Sequence, residues 1–166
     1  MANPVKSVLF LCTGNSCRSI IAEALLNHLG RGRYRAYSAG SHPVGRVSLK
    51  TLAALARRRI PVPEARSKSW DEFAEAAAPA MDFIITVCDN AAGEVCPVWP
   101  GRPATGHWGI ADPGAMEGKP GETAAFDVTV RTLEARIRAF LARPPAALAG
   151  PDAKRRLAEI GTIGGG

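Results

Sequence analysis

The apolar positions of this chain alternate between two spacings, and the alternation sets out its elements. Val8-Leu9-Phe10-Leu11 is a continuous apolar run, so Ser7 to Cys12 is predicted as a strand buried on both faces, as in a parallel sheet. Ile21, Ala24, Leu25 and Leu29 then recur at helical spacing, predicting a helix from Ile20 to Leu29 that stops at Gly30. Tyr34 to Ala39 reads as a second strand ending at Gly40. Ser48 is placed to cap a second helix, Leu49 to Arg59, with Leu49, Leu52, Ala53 and Leu55 expected toward the sheet. Pro61 and Pro63 bar its continuation. Trp70 to Ala78 is predicted as a short helix, and Asp82 to Val87 as a third strand ending at Cys88. Asn90 to Pro103 is rich in Ala, Gly and Pro and contains Cys96. Thr105 to Trp108 is a short extended segment, and Asp112-Pro113-Gly114 is a turn. Phe126, Val130, Leu133, Ile137 and Phe140/Leu141 make the core stripe of the longest helix, Thr123 to Arg143, which Pro144-Pro145 ends. The tail, 146–166, has one short helical stretch, Asp152 to Ile160.

Strands alternate with helices, which predicts a three-layer α/β fold with a four-stranded, mainly parallel sheet flanked by helices. Residues 1–145 form a single catalytic domain on this reading, with 146–166 as a C-terminal tail. Ligands of such sheets bind beyond the C-terminal ends of the strands. Cys12 ends the first strand, Cys88 ends the third and Asp112 follows the fourth, so all three are expected at one sheet edge.

Cys12-Thr13-Gly14-Asn15-Ser16-Cys17-Arg18-Ser19 stands at the first strand-to-helix junction. Helix N-terminal N–H groups are unpaired and the helix dipole favours negative charge, so this is a natural anion site. Gly14 and Asn15 both tolerate positive φ, which lets successive N–H groups curl into a nest. Thr13, Gly14, Asn15, Ser16, Cys17 and Arg18 are the expected oxyanion binders, with Arg18 supplying a planar fork of donors. Cys12 is the candidate nucleophile. The helix N-terminus and Arg18 are expected to bring its titration well below 8, and Ser19 offers a hydroxyl to the sulfur. Asp112, before Pro113, is the candidate general acid for a leaving oxygen.

Composition narrows the chemistry. The chain has 166 residues and a net charge of +6, with basic residues scattered apart from Arg57-Arg58-Arg59 and Lys154-Arg155-Arg156. Few aromatics accompany them, so no stacking platform for nucleic acid is expected, and a small anionic substrate fits instead. No apolar run is long enough for a membrane helix, and the N-terminus leads straight into the first strand. A cytoplasmic protein is therefore expected. Its four cysteines, Cys12, Cys17, Cys88 and Cys96, do not suit a disulfide framework there and contain no C-x2-C pair for zinc. Cys17 is read as packing. Cys88 and Cys96 are either thiols that take over an oxidation or small buried hydrophobes, and spacing alone leaves both open. His28, His42 and His107 have no matching ligand cluster, and His107 is read as a structural hydrogen-bonder.

Cys12 to Ser19 with Ala22-Glu23, Thr86-Val87-Cys88-Asp89-Asn90, Cys96-Pro97, and His107-Trp108-Gly109 running into Asp112-Pro113 together resemble the arsenate reductases of the low-molecular-weight tyrosine phosphatase fold. The likeness spans roughly residues 6 to 143. Phosphatases of this fold usually carry tyrosines after the Asp-Pro; here Gly114, Ala115 and Met116 follow, so a phosphatase acting on phosphotyrosine or small phosphate esters is the second choice. The resemblance implies a relay. Cys12 attacks arsenate, Asp112 protonates the departing oxygen, Cys88 attacks Cys12 to release arsenite, and Cys96 attacks Cys88. Phosphate or sulfate would mimic the substrate, and no tightly bound cofactor is implied. Thioredoxin, or glutathione with glutaredoxin, would reduce the final Cys88–Cys96 disulfide. Some members bind a potassium ion through residues that here are Asn15, Glu23 and Ser38.

Overall fold

The computed structural model describes residues 4–62, 65–88 and 103–164. Cys96, Asn90 and Pro63, which carry sequence-based expectations, lie outside the described residues.

β1 (Lys6–Cys12) is the spine of the sheet, and its residues Val8 to Cys12 are buried. β2 (Tyr34–Gly40) lies on one side of it, β3 (Phe83–Thr86) on the other, and β4 (Ala104–His107) beyond β3. The order is β2-β1-β3-β4 and every pairing is parallel, as predicted. The register is what positions the site. Cys12 pairs with Gly40, Leu11 with Thr86, and Thr86 with His107. The C-terminal strand ends therefore form one edge, and Cys88 follows β3 there.

Alternate β1 residues feed two cores. Val8, Phe10 and Cys12 face one layer, and Leu9 and Leu11 face the other, where Trp70, Phe73, Met81 and Ile84 meet them. The first layer holds α1 (Arg18–Leu29), α2 (Leu49–Arg57) and α3 (Glu122–Leu141). The predicted α3 stripe, Phe126, Val130, Leu133, Ile137 and Phe140, is wholly buried. Burying each such side chain is worth roughly 1.5–3 kcal/mol relative to leaving it in water.

Two local expectations are corrected. Leu49 and Ala53 of α2 are exposed, and Thr51 and Ala54 join the expected Leu55 on the buried face. A nine-residue helix capped by Ser48 shows only a narrow face to the core, so its first leucine falls off the stripe. The stretch from Trp70 is a single 3-10 turn, Trp70–Phe73, rather than a helix reaching Ala78. Only Trp70 and Phe73 are buried there, which anchors one turn and no more.

The tail packs onto the domain. α4 (Ala153–Ile160) lies against β4, with Leu157 and Ile160 buried. A Cβ built on Gly106 of β4 would stand 2.6 Å from Leu157 Cβ, so the absence of a side chain there permits the contact. Trp108 Nε1 donates to Leu157 O at 2.9 Å.

Candidate active site

The loop between β1 and α1 has its carbonyls turned outward and held. Cys12 O accepts from Ser41 N at 3.3 Å, Thr13 O from His42 N at 2.9 Å, Gly14 O from Val44 N at 3.1 Å, and Ser16 O from Ser48 N at 3.1 Å. Ser67 Oγ and Thr51 Oγ1 add donors to Gly14 O and Ser16 O. The carbonyls are thus occupied by a surrounding collar, residues 41–48 with Thr51 and Ser67. No side chain caps α1. Its first-turn N–H groups and those of the loop are the donors available to an anion. Gly40 makes the close approach possible: a Cβ there would stand 2.4 Å from Thr13 O.

Asn15 adopts φ 49 and is fully buried, as the nest requires. Gly14 does not share that conformation, contrary to the sequence-based expectation. A single left-handed residue suffices to turn the chain, and Gly14 sits under Val44, whose Cγ1 would lie 3.4 Å from an added Cβ.

Arg18 reaches from the start of α1 toward the β4 loop. Its Nη1 donates to Ile110 O at 3.0 Å, and its Nη2 lies 3.8 Å from Asp112 Oδ2. Arg18 Nε is buried and has no hydrogen-bond partner among the described residues, a donor of the fork that remains for a ligand. Asp112 also accepts from Gly114 N through Oδ1 at 2.9 Å and caps the 3-10 turn Pro113–Met116. It is half exposed, so its carboxyl faces both solvent and the Arg18 guanidinium.

Cys12 and Cys88 share a side-chain hydrogen bond, and Thr13 Oγ1 lies 3.5 Å from Cys88 Sγ. Both cysteines are buried. The expectation that Cys12 titrates well below 8 is overturned in this arrangement. The hydrogen bond with Cys88 pushes the thiol up from its ordinary value, and burial pushes it further. Arg18 and the Asn15 N–H oppose both and do not prevail.

Ser19 is fully buried, and its Oγ accepts from Asn15 Nδ2 at 2.8 Å, which leaves its hydroxyl hydrogen to donate elsewhere. Cys17 packs in the core, as expected, with Ser16 Oγ 3.6 Å from its sulfur. His107 Nδ1 is 2.6 Å from Thr86 Oγ1, consistent with a structural role.

Asn15, Ser38 and Glu23 do converge, but they do not fit a potassium ion. Asn15 Nδ2 donates to Ser38 Oγ at 3.0 Å, and Ser38 Oγ donates to Glu23 Oε1. An ammonium already stands among them: Lys68 Nζ is 3.8 Å from Glu23 Oε1 and 3.5 Å from Ser38 Oγ. Burial lowers the Lys68 pKa and raises that of Glu23, and each charge opposes the shift of the other.

Lys68, Ser67, Thr51 and the 41–48 collar escaped the sequence, as did Arg136. That guanidinium is fully buried in α3 and donates to Trp108 O at 3.2 Å, Gly109 O at 3.1 Å and Ile163 O at 2.9 Å. It ties the strand that leads to Asp112 to the tail. The one signal was an Arg beside Ile137, on the edge of an apolar stripe.

Comparison with known proteins supplies the remaining observations. The sequence model of the low molecular weight phosphotyrosine protein phosphatase family matches residues 7–149. An arsenate reductase of Bacillus licheniformis is 37% identical over 137 residues, which are 81% of this chain and 94% of that protein. The structure of a thioredoxin-dependent arsenate reductase of Corynebacterium glutamicum superposes with a TM-score of 0.62 at 30% identity. That match covers 86% of this chain and 63% of the other. A low molecular weight protein tyrosine phosphatase of T. tengcongensis superposes with a TM-score of 0.67 at 22% identity, covering 82% and 98%, and shares the fold.

Proposed function

We propose that this chain, which belongs to the low molecular weight phosphotyrosine protein phosphatase family, is an arsenate reductase that uses Cys12 as nucleophile. The observation that carries the assignment is the second thiol: Cys88 follows β3 at the same sheet edge as Cys12, its sulfur 3.5 Å from Oγ1 of the adjacent Thr13. A phosphatase needs Cys12, Arg18 and Asp112 and has no use for a second sulfur there. The arsenate reductases of Bacillus licheniformis and Corynebacterium glutamicum support the same choice.

The sequence of steps follows from the groups. The loop N–H groups and the Arg18 fork hold the oxyanion. The Cys12 thiolate attacks arsenic, and one oxygen leaves as water with a proton from Asp112. Arsenic is still pentavalent in the resulting S–As adduct. The Cys88 thiolate then attacks the Cys12 sulfur. The S–As bond breaks, its electron pair stays on arsenic, and arsenite departs as a Cys12–Cys88 disulfide forms. Cys96 attacks Cys88 and returns Cys12 to its thiol. The Cys88–Cys96 disulfide takes two electrons from a dithiol donor. Thioredoxin is that donor by the name of the Corynebacterium relative, and glutaredoxin with glutathione is the alternative. Phosphate and sulfate bind as mimics of arsenate. The enzyme works in the cytoplasm in arsenic detoxification; no helix among the described residues is long and apolar enough to cross a membrane.

The test is arsenate-dependent NADPH consumption with thioredoxin and thioredoxin reductase, run beside glutathione, glutaredoxin and glutathione reductase. Cys88→Ser is expected to abolish arsenate turnover and to spare hydrolysis of p-nitrophenyl phosphate. Wild-type arsenate turnover by that variant would overturn the relay.

A further inference from the structure

The oxygens of Ser38, Glu23 and Arg66 stand around a cation that belongs to the chain, beside Asn15. Lys68 Nζ lies 2.9 Å from Arg66 O, 3.5 Å from Ser38 Oγ and 3.8 Å from Glu23 Oε1. Its side chain is 7% exposed, so this is a buried charge held by oxygens rather than a solvated lysine. We propose that Lys68 is a built-in replacement for a bound monovalent cation: it makes the anion loop independent of potassium and is a positioning residue for Asn15.

Lys68 grips Asn15 at both ends of the amide. The Lys68 main-chain N donates to Asn15 Oδ1 at 2.9 Å. The Lys68 ammonium and Asn15 Nδ2 meet on the same acceptor, Ser38 Oγ. Asn15 in turn holds φ 49 and donates to Ser19 Oγ at 2.8 Å, so the turn of the loop and the buried Ser19 hydroxyl hang on this arrangement. The ammonium has a second effect. Glu23 is a largely buried carboxylate bonded through Ser38 to the loop. Unbalanced, its charge would oppose every oxyanion that enters. Lys68 balances it. A potassium ion on the same oxygens would have to share one carboxylate with the ammonium, so the two cations exclude each other.

The proposal concerns the loop and needs no arsenate chemistry, although its kinetic arm rests on the function proposed above. Wild type, Lys68→Met and the double variant Lys68→Met/Glu23→Gln are purified in KCl and compared in KCl and in choline chloride at equal ionic strength. The readouts are the thermal unfolding midpoint and the affinity for inorganic phosphate. Wild type is expected to behave identically in both salts. Lys68→Met is expected to bind phosphate at least ~10-fold more weakly in choline, with KCl restoring both affinity and unfolding midpoint in a saturable way. In arsenate turnover the same variant raises KM and leaves kcat near wild type, because a uniform electrostatic effect on binding was removed. The double variant, with neither charge, folds and ignores potassium. Potassium-strengthened phosphate binding by wild type would overturn the proposal. So would wild-type phosphate binding by Lys68→Met in choline, or a Lys68→Met defect that KCl does not reverse. Phosphate binding and unfolding report on Lys68 even if the chain reduces no arsenate, so the two failures are distinguishable.

Discussion

Arg18 Nη2 stands 3.8 Å from Asp112 Oδ2, which sets the guanidinium of the anion loop against the carboxylate of the Asp-Pro turn. Arg18 opens α1, after β1, and Asp112 lies in the segment after β4, with β3 between those two strands. An incoming oxyanion competes with Asp112 for that guanidinium edge. Once the anion takes Arg18, the Asp112 carboxyl is left facing the bound oxyanion, where the proposed general acid would stand. Asp112→Asn keeps an acceptor for Gly114 N, so the turn is expected to persist. Arsenate kcat is expected to fall about 100-fold, the lower range for loss of a positioned acid. Steady-state kinetics check this, and a fall of less than twofold would remove Asp112 from the chemistry.

The Cys12–Cys88 hydrogen bond gives the reduced enzyme a thiol that ionises late. The sign is direct. Cys88 is the largest contribution raising Cys12, and Arg18 and the Asn15 N–H lower it. Removing Cys88 leaves burial alone against the two lowering groups. Cys88→Ala is therefore expected to shift the pH midpoint of Cys12 alkylation by iodoacetamide downward from that of wild type. Peptide mass mapping distinguishes Cys12 from Cys17 in the same digest. An unchanged or higher midpoint would show that Cys88 does not hold the proton of the pair.

What the sequence revealed and what it concealed divide along the distance between partners. The strands, α3 and the Cys12–Ser19 loop were legible because their signals are local: an apolar run, a 3-4 spacing, a strand meeting a helix. The convergence of Cys12, Cys88 and Asp112 followed from one topological rule, and parallel register bears it out. The Cys12 proton affinity was misjudged because its largest cause lies at the end of β3, and only the local dipole and Arg18 were visible. Lys68 was illegible for a related reason. It sits in the polar run Arg66-Ser67-Lys68-Ser69, and nothing in that run says that it folds back onto Glu23 of α1. The α2 and Trp70 errors are of another kind. Leu49 and the alanines after Phe73 carry helical propensity or apolarity without a partner to bury them.

The tail is expected to be a stability element. Leu157 is fully buried against Gly106, and its carbonyl accepts from Trp108 Nε1. Leu157→Ala opens a cavity beneath β4 and is expected to cost about 2–5 kcal/mol, measured by urea unfolding. Arg136 bridges the same region to the segment before Asp112. Arsenate kcat of Leu157→Ala should therefore fall more than Cys12 alkylation does. A variant with wild-type stability would show that the tail docks without contributing to the fold.

Gly40 provides the sharpest test of how the loop is held. It pairs with Cys12 in the register, and its own N–H donates to Lys68 O at 2.9 Å. Any Cβ would stand 2.4 Å from Thr13 O and 3.1 Å from the Asn15 main-chain N. Both neighbours are backbone and belong to the nest, so neither can turn aside as a flexible side chain would. Gly40→Ala must push the loop away from β2 or open the β1–β2 ladder. A loss of about 1–3 kcal/mol is expected for overpacking of this kind. The displaced atoms are the N–H groups that face the anion, so phosphate affinity should fall by more than 10-fold even where the protein remains folded. Isothermal titration with phosphate, read beside urea unfolding, separates the two effects. Wild-type affinity in a folded Gly40→Ala protein would show that the loop tolerates a shift at Thr13 and that its donors are not fixed by this contact.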